Sequence, residues 1–224
     1  PKDFMVGLVS QVIMLPVIGF ILVLLFPVTP EIAVGVMIIA AAPGGVTSNI
    51  LTSFGRGDVA LSISLTAIIS LISLITIPLI VGLSYTYFFD EAAQNDISIA
   101  RIALSVFAIV TVPVIIGLGV RHFFKNFANR FDKTGKNISA ALFALVLLGA
   151  IFQERDNIIL YYADTGLITL SLNLIMLALA WLIASTFGSG TQQKIAISIE
   201  CGLQNGTLAI AVATFETLPL STAC

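Results

Sequence analysis

Long apolar runs, parted by short polar or proline-bearing stretches, occupy the chain from end to end. A helix needs roughly 20 predominantly apolar residues to cross a bilayer. By that measure spans fall at 4–26, 31–54, 58–83, 97–120, 138–152, 165–187 and 191–215, seven in all. Pro27 and Pro30 mark the first turn, since neither suits a helix interior. Asp90, Glu91, Asn95 and Asp96 fill the polar stretch after the third span, and Glu154-Arg155-Asp156 closes the fifth. The basic stretch 121–136 reads as a loop, and Trp181, well inside the sixth span, reads as a packing residue.

Two of the spans are interrupted. The second breaks at Pro43-Gly44-Gly45, and the seventh across Glu200-Cys201-Gly202-Leu203-Gln204-Asn205-Gly206-Thr207. Backbone freed at membrane depth is tolerated only where it is buried in protein or lines a cavity, so a broken helix points to a binding site. Glu200 strengthens the point: a carboxylate in mid-span costs about 2.5–3.5 kcal/mol and faces a partner, a cavity or an ion. The breaks lie in spans of opposite direction, one in each half of the chain, the footprint of an inverted-topology repeat. Plainer accounts are an unbroken helix whose Glu200 bonds a neighbour, or two unrelated kinks of the sort Pro and Gly produce. Neither explains why Ser48-Asn49 follows one break and Gln204-Asn205 sits in the other.

Composition sharpens the class. Hydrophobic residues make up 58% and charged residues 10% of the 224, with a mean hydropathy of +1.08, against about a quarter charged in a soluble domain. An all-α, polytopic membrane protein follows. One His and two Cys exclude a disulfide framework and a Cys/His zinc pattern. Lys2, Arg56, Arg121, Lys125, Arg130, Lys133, Lys136 and Lys194 fall on one side of the predicted topology, and only Arg101 and Arg155 on the other. The basic side is expected to be cytoplasmic, which puts the N-terminus of this chain inside a plasma or inner membrane. Lipid is then the surrounding partner, and neither nucleic acid nor an obligate protein partner is implied. The chain opens on Pro with no signal pattern ahead of its first span. It is therefore expected to be a piece of a longer protein that lacks helices at both ends.

The polar residues at the breaks suggest a chemistry. A broken helix presents carbonyl oxygens at the end of one half and amide N–H groups at the start of the other. The first carry partial negative charge and suit a small hard cation; the second suit an anion. Ser62 and Thr66, four apart, share a helix face. Their hydroxyls, the Asn49 amide oxygen and the Glu200 carboxylate are all hard oxygen ligands able to replace the water shell of sodium. An alternative reading is a proton-coupled carrier or channel with Glu200 as its protonation site. An intramembrane enzyme is the weakest reading, because no His pair such as HExxH is present.

Three stretches carry a resemblance: Ala42-Pro43-Gly44-Gly45-Val46-Thr47-Ser48-Asn49, Gly57-Asp58-Val59-Ala60-Leu61-Ser62 and Glu200-Cys201-Gly202-Leu203-Gln204-Asn205-Gly206-Thr207. Together they resemble the bile acid:sodium symporter family over most of the chain. The resemblance implies ten transmembrane helices in two inverted five-helix repeats, of which this chain holds helices three to nine and the start of ten. It implies a core domain containing the crossed broken helices, here 1–84 and 162–224, and part of a panel domain at 97–152. It also implies two sodium ions. Ser48, Asn49, Ser62, Thr66 and Glu200 would hold the first. Gln11, Glu200, Gln204 and the carbonyls of Cys201 and Leu203 would hold the second. The expected activity is sodium-coupled symport of an organic anion, a bile-acid-like or small carboxylate solute, by alternating access. That anion would bind near Val46, Thr47 and Asn205. Val46 stands where the family frequently has Thr, so the solute is left open.

Overall fold

The computed structural model describes residues 2–89, 119–155, 158–206 and 208–210, together with 104, 107, 112 and 115–117. Among the described residues every regular element is a helix, and the one pairing of extended backbone is an antiparallel bridge between Gly44 and Gln204.

Helix α1 runs over Lys2–Leu25 and changes type on the way, being π-helical over Ser10–Met14. Pro16 explains the change. It has no N–H for the carbonyl one turn back, so the ladder loosens to a wider turn. Leu15 N–H accordingly reaches Ser10 O, five residues away. Helix α2, Pro30–Ala41, starts on a proline whose missing N–H costs nothing there. Helix α3, Val46–Phe54, follows the Pro43-Gly44-Gly45 break, so the expected second span is two short helices rather than one. Helix α4, Val59–Phe88, is capped by Asp58 and contains Pro78. Helices α5, Lys125–Glu154, and α6, Ile158–Phe187, precede α7, Thr191–Gly202, which ends at the second break.

Apolar spacing sets the packing. On α6, Ile168, Leu172, Met176, Ala180 and Ala184 recur every fourth residue and are all fully buried. That stripe packs with Leu15 and Leu22 of α1, Val36 and Ala40 of α2, Leu65 of α4 and Ile197 of α7. A second cluster joins Val34, Ile38 and Ala41, on other faces of α2, to Leu74, Ile77 and Val81 of α4. Helix α2 is therefore enclosed on several sides. Small residues let the helices approach closely, with Gly7 against Leu65, Gly19 against Ala40 and Gly202 against Leu177. At one end of the bundle the Asp3 carboxylate accepts the Ser189 N–H at 2.7 Å and the Ser189 hydroxyl at 2.8 Å, tying α1 to the turn between α6 and α7.

Three helices among the described residues, α1, α4 and the Thr165–Phe187 part of α6, are long and apolar enough to cross a membrane, and α2 is a shorter apolar helix. Their outer faces carry bare apolar side chains such as Leu25, Ile75 and Leu83, as a lipid-facing surface requires. Most of the span expected at 97–120, and the end of the one expected at 191–215, lie outside the described residues. Two expectations are corrected. The stretch 121–136 is not a loop: α5 already begins at Lys125. Hydropathy marks only the apolar part of a helix, and Lys, Arg and Ala turns continue one readily. Trp181 is not a packing residue either. It sits beside the buried stripe of α6 and is 44% exposed.

Candidate functional site

The two breaks meet. Asn205 N–H donates to Pro43 O at 2.8 Å, and this bond anchors the Gly44–Gln204 bridge. Backbone groups that the ends of α2 and α7 leave without helical partners thus serve each other. Gly44 lies so close to Glu200 that a Cβ there would overlap Oε1 and Cδ of the carboxylate. Only a glycine leaves that space.

Glu200, two residues before the end of α7, is fully buried. Its carboxylate gathers hydroxyls from two other helices. Ser48 of α3 donates to Oε2 at 2.8 Å, Ser62 of α4 to the same oxygen at 2.9 Å, and Thr66 of α4 to Oε1 at 2.5 Å. The Asn49 amide oxygen faces the same hydroxyls, 2.7 Å from Ser62 Oγ and 3.3 Å from Thr66 Oγ1. Helical repeat explains the convergence, because Ser62 and Thr66 are one turn apart on α4. The five residues expected to surround one ion, Ser48, Asn49, Ser62, Thr66 and Glu200, are thereby in direct contact.

Proton bookkeeping shows what the cluster lacks. Each hydroxyl has a single proton, yet each has more than one acceptor in reach. Ser48 Oγ also lies 2.7 Å from Gly45 O, and Thr66 Oγ1 lies 3.1 Å from Ser62 O. Oxygen acceptors outnumber the protons available to them. Hard oxygen donors in that arrangement suit a small cation.

The residues expected around a second ion are placed less uniformly. Gln11 is buried in the π-helical turn of α1, and among the described residues neither its amide nitrogen nor its amide oxygen has a hydrogen-bond partner. Native structures rarely leave such groups unsatisfied. The π-segment packs against α7, and one turn earlier Gly7 O lies 3.8 Å from Cys201 Sγ. Gln204 donates from Nε2 to Cys201 O at 2.7 Å, and Leu203 caps α7 in extended conformation. No hydrogen bond joins Gln11 to Gln204 among those described. Of the positions expected near an anion, Val46 opens α3 and Thr47 is exposed beside it. Asn205 lies against Gly45, with its Oδ1 accepting Leu208 N–H at 3.1 Å.

Sequence reasoning missed several members of the site. Thr52 is fully buried and lies 3.4 Å from Ser62 Oγ, to which its hydroxyl donates. Its position four residues after Ser48, on the same face of α3, is the signal that could have found it. Gly44 was visible only as part of a break, and its contact with Glu200 has no mark in the sequence. The cluster's donors are hydroxyl, amide and carboxylate oxygens, the type that suits a hard cation.

The profile of the sodium bile acid symporter family matches residues 1–161. The chain is 28% identical to the uncharacterized sodium-dependent transporter YocS of Bacillus subtilis, over 99% of this chain and 67% of that protein. It is 27% identical to the probable chloroplastic sodium/metabolite cotransporter BASS1 of Arabidopsis thaliana, over 96% of this chain and 52% of that protein. It is also 27% identical to a human sodium-dependent organic anion transporter, over 95% of this chain and 55% of that protein. The chain thus spans between about half and two thirds of the length of these relatives. The family and these relatives are transporters, not enzymes. With most of its length matched by the profile, the chain belongs to the sodium bile acid symporter family.

Proposed function

We propose that the full-length protein performs sodium-coupled symport of an organic anion by alternating access. One observation carries the reading: hydroxyls and an amide oxygen from α3 and α4 converge on the buried Glu200, with acceptors in excess of protons. A hard cation meets that excess. Ser48 and Thr66 each have a backbone carbonyl to which their proton can turn, freeing a lone pair for a metal. In this reading Ser48, Asn49, Ser62, Thr66 and Glu200 hold one sodium ion. Gln11, Glu200, Gln204 and the carbonyls of Cys201 and Leu203 hold a second, and the unpartnered Gln11 amide supports it. Two cations sharing Glu200 offset the cost of a carboxylate at that depth.

Among the described residues no side chain caps the first N–H groups of α3. With Val46, Thr47 and Asn205 beside them they form the partly positive end suited to the anion, a bile-acid-like or small carboxylate solute. The names of the relatives, an organic anion transporter and a sodium/metabolite cotransporter, support a small solute of this kind. The architecture proposed with it is an inverted repeat of ten spans, seven of them in this chain. The core, 1–84 and 162–224, moves against a panel that includes 97–152, in a cell membrane with the N-terminus of this chain inside.

Uptake of labelled organic anions by cells expressing the full-length protein tests the reading. Glu200→Ala is expected to abolish sodium-dependent uptake while surface expression stays normal. Sodium-driven uptake by that variant at the wild-type rate would refute it. Wild-type uptake driven by a pH gradient without sodium would favour Glu200 as a proton carrier instead.

A further inference from the structure

The polar network around Glu200 has a counterpart nearer the end of the same helices, where Asp58 ties α4 to α7. Asp58 Oδ1 accepts the Leu61 N–H at 3.0 Å, capping α4. Its Oδ2 accepts from Gln193 Nε2 at 3.0 Å, and its own N–H donates to Gln192 O at 3.0 Å. One residue therefore bonds the start of the helix that carries Ser62 and Thr66 to the start of the helix that carries Glu200. Ser62 lies one turn from this tie. Glu200 lies seven residues beyond Gln193, about 10 Å along the α7 axis.

The space between tie and site is filled. A Cβ on Gly57 would meet Ile195 Cγ2 at 2.8 Å, Thr52 Cγ2 at 2.9 Å and Ala196 N at 3.2 Å, so the turn rests directly on α7. Arg56 makes that turn at a φ of 57°, a region a residue with a Cβ seldom enters. Thr52 connects the same place to the hydroxyl of Ser62.

We propose that Asp58 and Gln193 are positioning residues of the Glu200 cation site, setting sodium affinity by fixing how far α7 is advanced along α4. The proposal rests on the sodium reading above and adds that affinity depends on a hydrogen bond remote from the ion. Sites of this kind tolerate displacements of only about 0.5 Å, and the Glu200 hydrogen bonds, at 2.5–2.9 Å, leave little slack.

Sodium chloride alone serves as the probe. The unfolding midpoint of the purified full-length protein is followed against sodium concentration c, with choline chloride holding ionic strength, and fitted to a stabilisation that grows as RT ln(1 + c/Kd); the fitted Kd is the sodium half-saturation of the site, obtained without any solute. Gln193→Glu sets a carboxylate against Asp58 and is expected to raise the sodium half-saturation about tenfold, through partial loss of one charge-assisted bond. Added negative charge alone would draw cations in, so a rise reports geometry. D58N/Q193E restores the pair in reverse: the new amide keeps its oxygen on Leu61 N–H and donates to the new carboxylate. It is expected to return half-saturation to within about threefold of wild type. Gln193→Leu, which removes the bond without repulsion, is expected to fall between wild type and Gln193→Glu and serves if the latter does not fold. Wild-type sodium affinity in Gln193→Glu, or in Gln193→Leu where that variant is used in its place, would overturn the proposal. So would a double variant as weak as Gln193→Glu. A wild-type midpoint that ignores sodium would overturn the cation reading itself, and this proposal with it.

Discussion

Gly44→Ala is the sharpest single perturbation of the site. The added methyl group would overlap Glu200 Oε1 and Cδ. A flexible surface glutamate would swing aside, but this one is fully buried and held by three hydroxyls. Either the bridge between the breaks opens or the carboxylate leaves at least one hydroxyl. Overpacking a filled interior costs about 1–3 kcal/mol, and losing a hydrogen bond to a charged group costs about 1.5–3 kcal/mol. Some 2 kcal/mol of that falling on the ion-binding arrangement corresponds to about a 30-fold change in an equilibrium constant. The measurement is the sodium half-saturation of the unfolding midpoint in the full-length protein, with choline chloride as the balancing salt. Gly45→Ala is the internal control. Its Cβ would meet Asn205 Cγ at 3.5 Å and Cβ at 3.6 Å, ordinary contact distances. The backbone at Gly45, φ −126° and ψ −174°, is open to any residue. That variant is expected to stay within about threefold of wild type, since it forces no neighbour to move. Wild-type sodium affinity in Gly44→Ala, or equal losses in the two variants, would refute the claim that close approach of Gly44 shapes the site.

Two further substitutions probe neighbouring features. Gln11→Leu removes a buried amide whose nitrogen and oxygen have no partner among the described residues, and each such unsatisfied atom costs on the order of 1–3 kcal/mol. The variant is therefore expected to melt higher than wild type in sodium-free buffer yet gain less from added sodium, and a lower midpoint in both buffers would contradict this. Gly202→Ala drives a Cβ into Leu177 where α6 and α7 are in contact, at a cost of about 1–3 kcal/mol. Its midpoint should fall and should partly recover when combined with Leu177→Ala; a neutral single variant would show that the helices can part there.

Much of this site is legible in the sequence. Glu200 stands out because a carboxylate is costly in an apolar span, and Ser62 and Thr66 pair by simple helical spacing. The breaks at Pro43-Gly44-Gly45 and at Gly202 to Gly206 declare themselves through residues that end helices. What stayed hidden depends on distance across the fold. The overlap of Gly44 with Glu200, the hydrogen bond from Asn205 to Pro43 O, and the Asp58–Gln193 tie all join positions more than 130 residues apart. No local pattern encodes such neighbours. The misread basic stretch failed for another reason. Hydropathy separates what lies in lipid from what does not, and says nothing of whether the wet part is coiled, as it is from Lys125 onward in α5.

The hydroxyls that serve Glu200 also bear on how the protein is made. Ser48, Ser62 and Thr66 precede their carboxylate by 152, 138 and 134 residues. A chain synthesised from its N-terminus inserts them well before Glu200 leaves the ribosome. In lipid no water is at hand to satisfy them meanwhile. The bonds from Ser48 to Gly45 O and from Thr66 to Ser62 O, with the Asn49 amide also on Gly45 O, give two of the three hydroxyls and that amide a local resting partner. Among the described residues the side chains that bond the Glu200 carboxylate all precede it, so it enters after them, onto hydroxyl donors already in place. Biogenesis of this protein thus has a natural order, in which the costliest group arrives only when its partners are waiting.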